Sequence, residues 1–305
     1  MNAMHSSISR RAMLSVAALL LCLGSTEAAP LFVPQKTHAV VIGVLKFRDP
    51  GLRSFSAIGR KDKELYELLL KRGVPAKQAT LLLDEQATRQ GVDKALAQAI
   101  GRVKAGETLI VYYAGHGVIY GTGDVAFATY DLTRQNLAGT GLLMSNLSTA
   151  LARLPKGARV ILLADCCYSG RMQRVAREIS RLGVESVSLT SADASNYSSG
   201  NWTYTQAIID GLSGAPLADL DNDGQVQLDE LAREVKRAMK YRERQKHGFS
   251  VHGVKPRLVV SQRKGSALVR GKGPYTIGAY ARTKRAGKWE TVRIVGRRGP
   301  SVQVE

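Results

Sequence analysis

The chain has few cysteines and, beyond its start, no long apolar run, and these shortages exclude two classes of protein. Only three cysteines occur among 305 residues, so a scaffold held together by disulfides is excluded. After residue 23 no apolar run is long enough to cross a bilayer, which argues against a membrane protein with several spans. With 44% hydrophobic and 23% charged residues, the chain suits one sizeable globular core with an appendage.

The first 29 residues resemble an export signal. Arg10 and Arg11 precede an apolar run over residues 12–23, and small residues at 26–29 suit cleavage by a signal peptidase. We therefore expect 1–29 to be a signal peptide and the protein to be exported, either to the periplasm or out of the cell. The two arginines also fit a twin-arginine signal. A retained membrane anchor is the alternative, although the run is shorter than the roughly 20 residues that a spanning helix needs.

Positive charge is concentrated at the end of the chain. The formal net charge is +19, and residues 255–305 hold thirteen Lys or Arg against two Glu, a net charge of +11. Such a segment suits contact with an anionic surface or polymer, and a solvated surface without a dedicated partner is the alternative. No pattern of aromatic and basic residues indicates specific nucleic-acid binding. Because residues 275–304 alternate as short hairpins, we expect 263–305 to be a small basic β tail, with an SH3-like module as one interpretation.

From His38 onward, short apolar runs alternate with helical periodicity, which predicts a parallel sheet covered by helices. Main strands are expected at residues 40–45, 81–83, 109–113, 160–164, 186–190 and 258–261, with a short strand at 125–128. Helices are expected at residues 61–72, after a cap at Thr88, and at 146–154. The predicted fold class is α/β, a three-layer α/β/α sandwich with a mostly parallel six-stranded sheet within residues 30–262.

Two of these strands end in glycine-containing loops that carry reactive side chains. One continues into YYAGHG, with His116 between Gly115 and Gly117, and the other into DCCYSG, with Cys166 and Cys167. Because open α/β sheets carry their sites at the carboxyl ends of the strands, we expect these loops to meet. A histidine and a cysteine there can act as base and nucleophile, while backbone N–H groups of the two turns hold an oxyanion. A buried, inert cysteine pair is the alternative.

The same residues resemble the caspase and metacaspase superfamily of cysteine peptidases, in particular its bacterial members. YYAGHG resembles the family's histidine motif, DCCYSG resembles its Asp-x-Cys-His-Ser-Gly motif, and similar segments extend over residues 38–262. The resemblance implies the caspase-hemoglobinase fold and a cysteine endopeptidase, with His116 as base or acid and Cys167 as nucleophile. Cys166 stands where metacaspases often have Ser, and Tyr168 stands where they often have His.

The resemblance also implies acidic residues that hold an Arg or Lys side chain before the cut bond. Asp62 and Asp165 match the family's acidic positions, so we expect substrate binding there and cleavage of proteins or peptides after basic residues. Ala114 departs from the pattern, because a metacaspase often offers Ser at that position. The alternative is an exposed helix residue for Asp62 and a turn cap at the strand end for Asp165.

Two features near the nucleophile allow alternative interpretations. Cys166 could form a strained bridge with Cys167 that acts as a redox brake, or it could pack as a small residue. The segment RMQRVAREISRLG could be a linker for self-cleavage after Arg. Its apolar residues Met172, Val175 and Ile179 instead favour a helix with one apolar face.

A second motif predicts a metal site. DLDNDGQVQLDE at residues 219–230 fits the pattern of an EF-hand-like calcium loop. The expected calcium ligands are Asp219, Asp221, Asp223, the backbone carbonyl of Gln225, and Glu230. Gly214 and Pro216 weaken the helix that would enter the loop, and an acidic turn that caps a helix is the alternative. No organic cofactor is expected.

Together these patterns predict an exported cysteine endopeptidase in which calcium either activates the protein or stiffens the helix that follows the loop. Two other functions stay open. One is a binding or scaffold protein that keeps the fold without using the pocket, and the other is a calcium-regulated signalling module. The patterns leave the oligomeric state open.

Overall fold

The computed structural model describes residues 30–268, 278–285, 288–298 and 301–304, so the expected export signal at 1–29 lies outside the described residues. The helices are α1 (Lys61–Lys71), α2 (Arg89–Arg102), α3 (Leu137–Thr140), α4 (Met144–Leu151), α5 (Met172–Ser180), α6 (Thr203–Ser213) and α7 (Leu228–Arg242). The strands are β1 (Thr37–Gly43), β2 (Ala79–Leu83), β3 (Thr108–Ala114), β4 (Gly117–Tyr120), β5 (Asp124–Phe127), β6 (Leu142–Leu143), β7 (Arg159–Asp165), β8 (Glu185–Thr190), β9 (Gln225–Gln227), β10 (Gly248–His252), β11 (Val259–Gln262), β12 (Tyr280–Arg285), β13 (Lys288–Arg298) and β14 (Ser301–Val304). Within these ranges no helix is both long and apolar enough to cross a membrane.

Six strands form the central sheet in the order β10-β8-β7-β3-β1-β2. Five of them run parallel, and β10 lies antiparallel at the edge beside β8. The predicted mostly parallel, six-stranded sheet is therefore confirmed. The assignment of residues 258–261 to this sheet is wrong, because β11 pairs with β9 in a separate two-stranded sheet. The sixth strand is β10, whose Phe249 and Val251 are only half-buried and so give a weak apolar signal.

Two hydrophobic cores, one on each face of the sheet, give the predicted three layers. Strands β1 and β3 are buried on both faces, so successive side chains enter opposite cores. Val40 and Val111 pack on one side, whereas Val41 and Tyr112 pack on the other. Helices α2, α4 and α5 cover the first side, and α1, α6 and α7 cover the second.

The register of the parallel strands brings three strand ends to one edge of the sheet. Gly43 of β1 pairs with Ala114 of β3, and Ala114 pairs in turn with Asp165 of β7. The loops that follow these strands therefore begin side by side, as expected for the edge at which open α/β sheets carry their sites.

The arginine-rich segment after Cys167 is a helix. Met172, Val175 and Ile179 of α5 are buried, and Arg174 on the opposite face pairs with a glutamate at the surface. The apolar spacing of this segment therefore predicted its conformation correctly.

The described part of the C-terminal tail forms a three-stranded antiparallel sheet, β12-β13-β14. It packs on α7, where Arg293 of β13 pairs with Glu234 at 2.9 Å and both side chains are almost fully buried. Ile294 beside this pair is also buried. A small β unit therefore stands where the sequence predicts one, and its SH3-like character stays a prediction.

Candidate active site

Cys167 lies in the loop directly after β7. Its side chain is half-buried, and its Sγ lies 3.2 Å from the backbone N of Ser198 and 3.8 Å from the carbonyl oxygen of the same residue. The N–H of Ser198 donates to the sulfur, and the thiol donates to the carbonyl oxygen of Ser198, so both contacts hold the side chain beside residue 198. The next residue, Tyr168, has a left-handed backbone with a φ of 56°, which turns the chain towards α5.

His116 lies between two glycines in the loop from β3 to β4. Gly115 has a φ of 154°, and a Cβ at this position would collide with the hydroxyl of Tyr113. A Cβ on Gly117 would collide with the carbonyl oxygen of Cys167. Glycine therefore lets the histidine loop lie directly against the cysteine loop. Gly115 turns the chain and Gly117 begins β4, and their part in an oxyanion hole stays a prediction.

The imidazole of His116 is held by the loop after β1. Its Nε2 lies 2.7 Å from the carbonyl oxygen of Arg53, and its ring contacts Phe55 and Phe47 at centroid distances of 4.5 and 5.0 Å. Because a carbonyl only accepts hydrogen bonds, Nε2 carries the proton and Nδ1 of the neutral ring is free to act as a base. Burial lowers the pKa of His116, which favours the neutral ring. Sequence patterns give no signal for the Arg53 contact, because every residue type has a backbone carbonyl.

His116 and Cys167 line the same cleft, which has a volume of about 490 Å³. Residues 53–56 and 198–202 also line it. In the part of the chain that the structure describes, no hydrogen bond joins the imidazole to the sulfur. Catalytic hydrogen bonds are often long before substrate binds, and a cleft of this size accommodates a ligand. The structure therefore brings the predicted base and nucleophile to one site.

Asp165, the last residue of β7, is a buried carboxylate that lines this cleft. Its Oδ2 accepts from Thr205 Oγ1 at 2.7 Å, and its Oδ1 accepts from Ser198 Oγ at 3.5 Å. Burial raises the pKa of Asp165 to about 6, and the nearby charge of Glu243 contributes to the rise. A buried carboxylate whose partners are hydroxyl groups is suited to bind a cation, because a positive charge would compensate its own.

Asp62, in the first turn of α1, is also buried but is not among the residues that line the cleft. Its two carboxylate oxygens accept from Nε and Nη2 of Arg60 at 2.8 and 2.7 Å. The alternative of an exposed helix residue is therefore wrong. The expected role in substrate binding also differs from the observed contact, because the guanidinium of Arg60 already binds this carboxylate.

Cys166 and Cys167 are adjacent but have different surroundings. Cys166 is only 1% exposed and packs within one of the two hydrophobic cores. Burial raises the pKa of the Cys166 thiol well above its usual range, so this thiol resists ionisation. These surroundings support a packing role for Cys166, and a redox bridge to Cys167 stays a prediction.

The acidic loop at residues 219–230 follows α6 and ends in the first turn of α7. Carboxylate oxygens of Asp219, Asp221 and Asp223 all lie within 4.8 Å of one another, and Gln225 begins β9. Closely spaced carboxylate oxygens are the ligands that calcium prefers, so these three residues fit the ion.

The expected calcium ligands have other partners in this arrangement, among them Arg257, which pairs with Asp221 at 3.5 Å. Glu230 accepts from the backbone N of Leu220 at 2.7 Å and from that of Gln227 at 2.9 Å, and it thereby caps α7. Arg263 pairs with Asp219 at 2.7 Å. Coordination by the full set would therefore require Glu230 to turn from the helix cap to the ion and Arg263 to leave Asp219.

His116 and Cys167 both lie in a part of the chain that is similar to a known protein family. Residues 64–176, which include His116 and Cys167, match the family model for the metacaspase peptidase C14 domain. Metacaspase-2 of Trypanosoma brucei brucei is 28% identical over 120 residues, which is 35% of this chain and 35% of that protein. Metacaspase-3 of Trypanosoma cruzi (strain CL Brener) is 25% identical over 156 residues, 47% of this chain and 43% of that protein. The chain thus spans less than half the length of these relatives.

The fold is also found in a solved structure. A crystal structure of a protein from Geobacter sulfurreducens aligns with a TM-score of 0.51 and 16% sequence identity, over 76% of this chain and 99% of that one. The predicted fold class and the resemblance to metacaspases are therefore confirmed.

Proposed function

We propose that this chain, which carries a metacaspase-type C14 peptidase domain, is a cysteine endopeptidase with Cys167 as its nucleophile and His116 as its base and acid. One observation carries the proposal. The sulfur and the imidazole line the same cleft at the carboxyl edge of the sheet, and a backbone carbonyl holds Nε2 of the ring. Protein or peptide substrates follow from a peptidase domain of this type.

The proposed reaction is hydrolysis of a peptide bond in two stages. Nδ1 of His116 takes the thiol proton of Cys167, the sulfur attacks the carbonyl carbon, and the imidazolium protonates the leaving amine as the C–N bond breaks. The imidazole then deprotonates a water that attacks the thioester, and the sulfur leaves and regains a proton as the carboxylic product departs. Backbone N–H groups at His116 and Cys167 stabilise the oxyanion formed at each stage, whereas Gly115 N already donates to Asp165 O at 3.4 Å.

For the substrate, we propose that Asp165 binds an Arg or Lys side chain before the cut bond. Asp165 is the one acidic side chain among the described residues that line the cleft. A substrate cation would compensate its buried charge and favour its ionised form. Asp62 has no part in this proposal, because Arg60 is its partner.

Two fluorogenic peptides, one ending in Arg and one in Asp, test both assignments. We expect wild-type protein to hydrolyse the Arg peptide and Cys167→Ala to lose at least about 1,000-fold of this activity. Cys166→Ala is the matched control at the neighbouring thiol and should stay active. Cleavage of the Asp peptide alone would contradict the proposed specificity, and equal turnover by Cys167→Ala would contradict the nucleophile.

We also propose that Asp219, Asp221 and Asp223 bind calcium, which would cross-link the loop before α7. The close approach of their carboxylates supports this site. An ion that binds only the folded protein must raise its melting temperature, so we expect a higher temperature with calcium than with EDTA. Asp221→Asn should reduce the difference. Identical melting of the wild type in both conditions would contradict the site, and peptide assays in the same buffers test whether activity depends on calcium.

Export and contact with an anionic surface are further parts of the proposal. Leu31 N donates to Val259 O and Phe32 is buried, so the residues directly after the expected cleavage site belong to the folded domain. N-terminal sequencing of protein recovered from the periplasm should therefore give a chain that begins near Pro30, and an uncut chain would contradict this.

Binding of phosphatidylglycerol vesicles through residues 255–305 should weaken as salt rises.

A further inference from the structure

Arg60 forms a buried ion-pair network with two carboxylates at the carboxyl edge of the sheet. Its Nε and Nη2 donate to Asp62 at 2.8 and 2.7 Å, and its Nη1 donates to Asp84 at 2.7 Å. Nη2 also lies 3.3 Å from the carbonyl oxygen of Gly43, the last residue of β1. All three guanidinium nitrogens are therefore engaged, and the bonds to the two carboxylates raise the pKa of Arg60.

This network joins both ends of the loop at residues 44–60, between β1 and α1. At the beginning of the loop, Oδ1 of Asp84 accepts from the backbone N of Leu45 at 2.8 Å and from that of Lys46 at 3.2 Å. Its other oxygen, Oδ2, binds Arg60, the last residue before α1. The carboxylate of Asp84, directly after β2, thus binds both the first residues of the loop and its last residue.

The middle of the same loop holds the imidazole of His116. The carbonyl of Arg53 accepts from Nε2 at 2.7 Å, and the ring of Phe55 contacts the imidazole. Phe55 N donates in turn to Leu45 O at 2.8 Å. A continuous series of contacts therefore connects the ion-pair network to the histidine ring.

We propose that Arg60, Asp62 and Asp84 are positioning residues that fix the loop at 44–60 and thereby orient His116. The catalytic consequence rests on the proposed function, whereas the effect on the ring does not. This role for Asp62 differs from the substrate-binding role that the family resemblance implies, and the two roles have different kinetic effects. A positioning residue changes kcat and the state of the ring, whereas an acid that only binds the substrate cation changes KM for an Arg peptide.

The test compares wild-type protein with the paired variant Arg60→Gln, Asp62→Asn, which removes the charges of both side chains but leaves the carboxylate of Asp84 without its guanidinium partner. Arg60→Lys is a milder variant that keeps the charge but lacks the planar fork of donors. Lys46→Ala, an exposed side chain in the same loop, is the matched control. The readouts are the ¹⁵N spectrum of the His116 ring, which shows the nitrogen that carries the proton, and kcat and KM on an Arg peptide.

In the paired variant we expect the Nε2–H signal of His116 to weaken. We also expect kcat to fall about 10- to 100-fold while KM changes less than about twofold. Arg60→Lys should lie between this variant and the wild type, and Lys46→Ala should match the wild type. If the paired variant does not fold, Arg60→Lys decides by the same readouts.

A folded variant with a wild-type ring signal and a wild-type kcat would overturn the proposal, and so would a variant in which only KM rises. If the wild type hydrolyses no peptide but the ring signal still responds to the variants, the proposed function fails and the positioning role stands.

Discussion

The surroundings of Asp62 and Asp165 differ, although the same family resemblance selects both residues. Asp62 accepts two hydrogen bonds from the guanidinium of Arg60, whereas Asp165 has the hydroxyl groups of Ser198 and Thr205 as partners. The guanidinium of Arg60 compensates the charge of the Asp62 carboxylate. Burial instead raises the pKa of Asp165 to about 6, because it disfavours the charged form. The role of an acidic residue therefore depends on its counter-ion as well as on its place in a motif.

The largest effect that would test this contrast is on substrate binding. Asp165→Asn should lower kcat/KM for an Arg peptide by about 100-fold, because a buried charge pair contributes several kcal/mol. The same peptide with Ala in place of Arg is the control, and its slower hydrolysis should be little changed by the substitution. An equal loss on both peptides would show that Asp165 does not bind the substrate cation.

The second effect is on stability. Asp62→Asn should lower the free energy of unfolding by about 2 kcal/mol, because the substitution breaks a buried pair and leaves the guanidinium of Arg60 with less compensation. Glu64→Gln breaks the partly exposed pair with Lys61 on the same helix and should cost less than about 1 kcal/mol. Urea denaturation measures both values. Similar losses in the two variants would mean that the Asp62 pair behaves like a surface pair.

The third effect is on the pH dependence of KM. Because its pKa is raised to about 6, Asp165 takes up a proton at a higher pH than an ordinary aspartate does. KM for an Arg peptide should therefore be constant at pH 7 to 8 and rise as the pH falls through about 6. Asp165→Asn should show no such transition in KM. A transition that persists in this variant would assign the titration to another group.

The smallest effect is on thermal stability. The pKa of Asp165 in the folded protein lies above that of the unfolded chain, so its contribution to stability is greatest at low pH and is lost as the pH rises through about 6. Asp165→Asn should therefore raise the melting temperature at pH 8 by about 2 to 4 °C and have little effect at pH 4. A lower melting temperature at pH 8 would mean that the hydrogen bonds of the carboxylate outweigh its buried charge.

The central sheet could be predicted from the sequence because β1, β3 and β7 are buried on both faces and therefore appear as continuous apolar runs. The start of α2 was also predictable, since Thr88 accepts from Gly91 N at 3.1 Å as a helix cap does. Residues 258–261 were misassigned because an apolar run reports burial and says nothing about which strand pairs with it.

The meeting of His116 and Cys167 at one cleft could also be predicted, because both follow strands that end at the same edge of the sheet. The cap that Glu230 forms on α7 corresponds to the alternative that the acidic loop left open. The contacts of Arg53 and Arg60 could not be predicted. The first uses a backbone carbonyl, and the second an arginine that folds back onto α1. Each of these contacts depends on the path of a loop, which residue types and spacing do not determine.

The buried pair between Arg293 and Glu234 couples the stability of the α/β domain to that of its basic tail. A chain that ended before β13 would lose the guanidinium that compensates a carboxylate on α7. In a chain shortened in this way, an apolar residue in place of Glu234 should therefore restore stability.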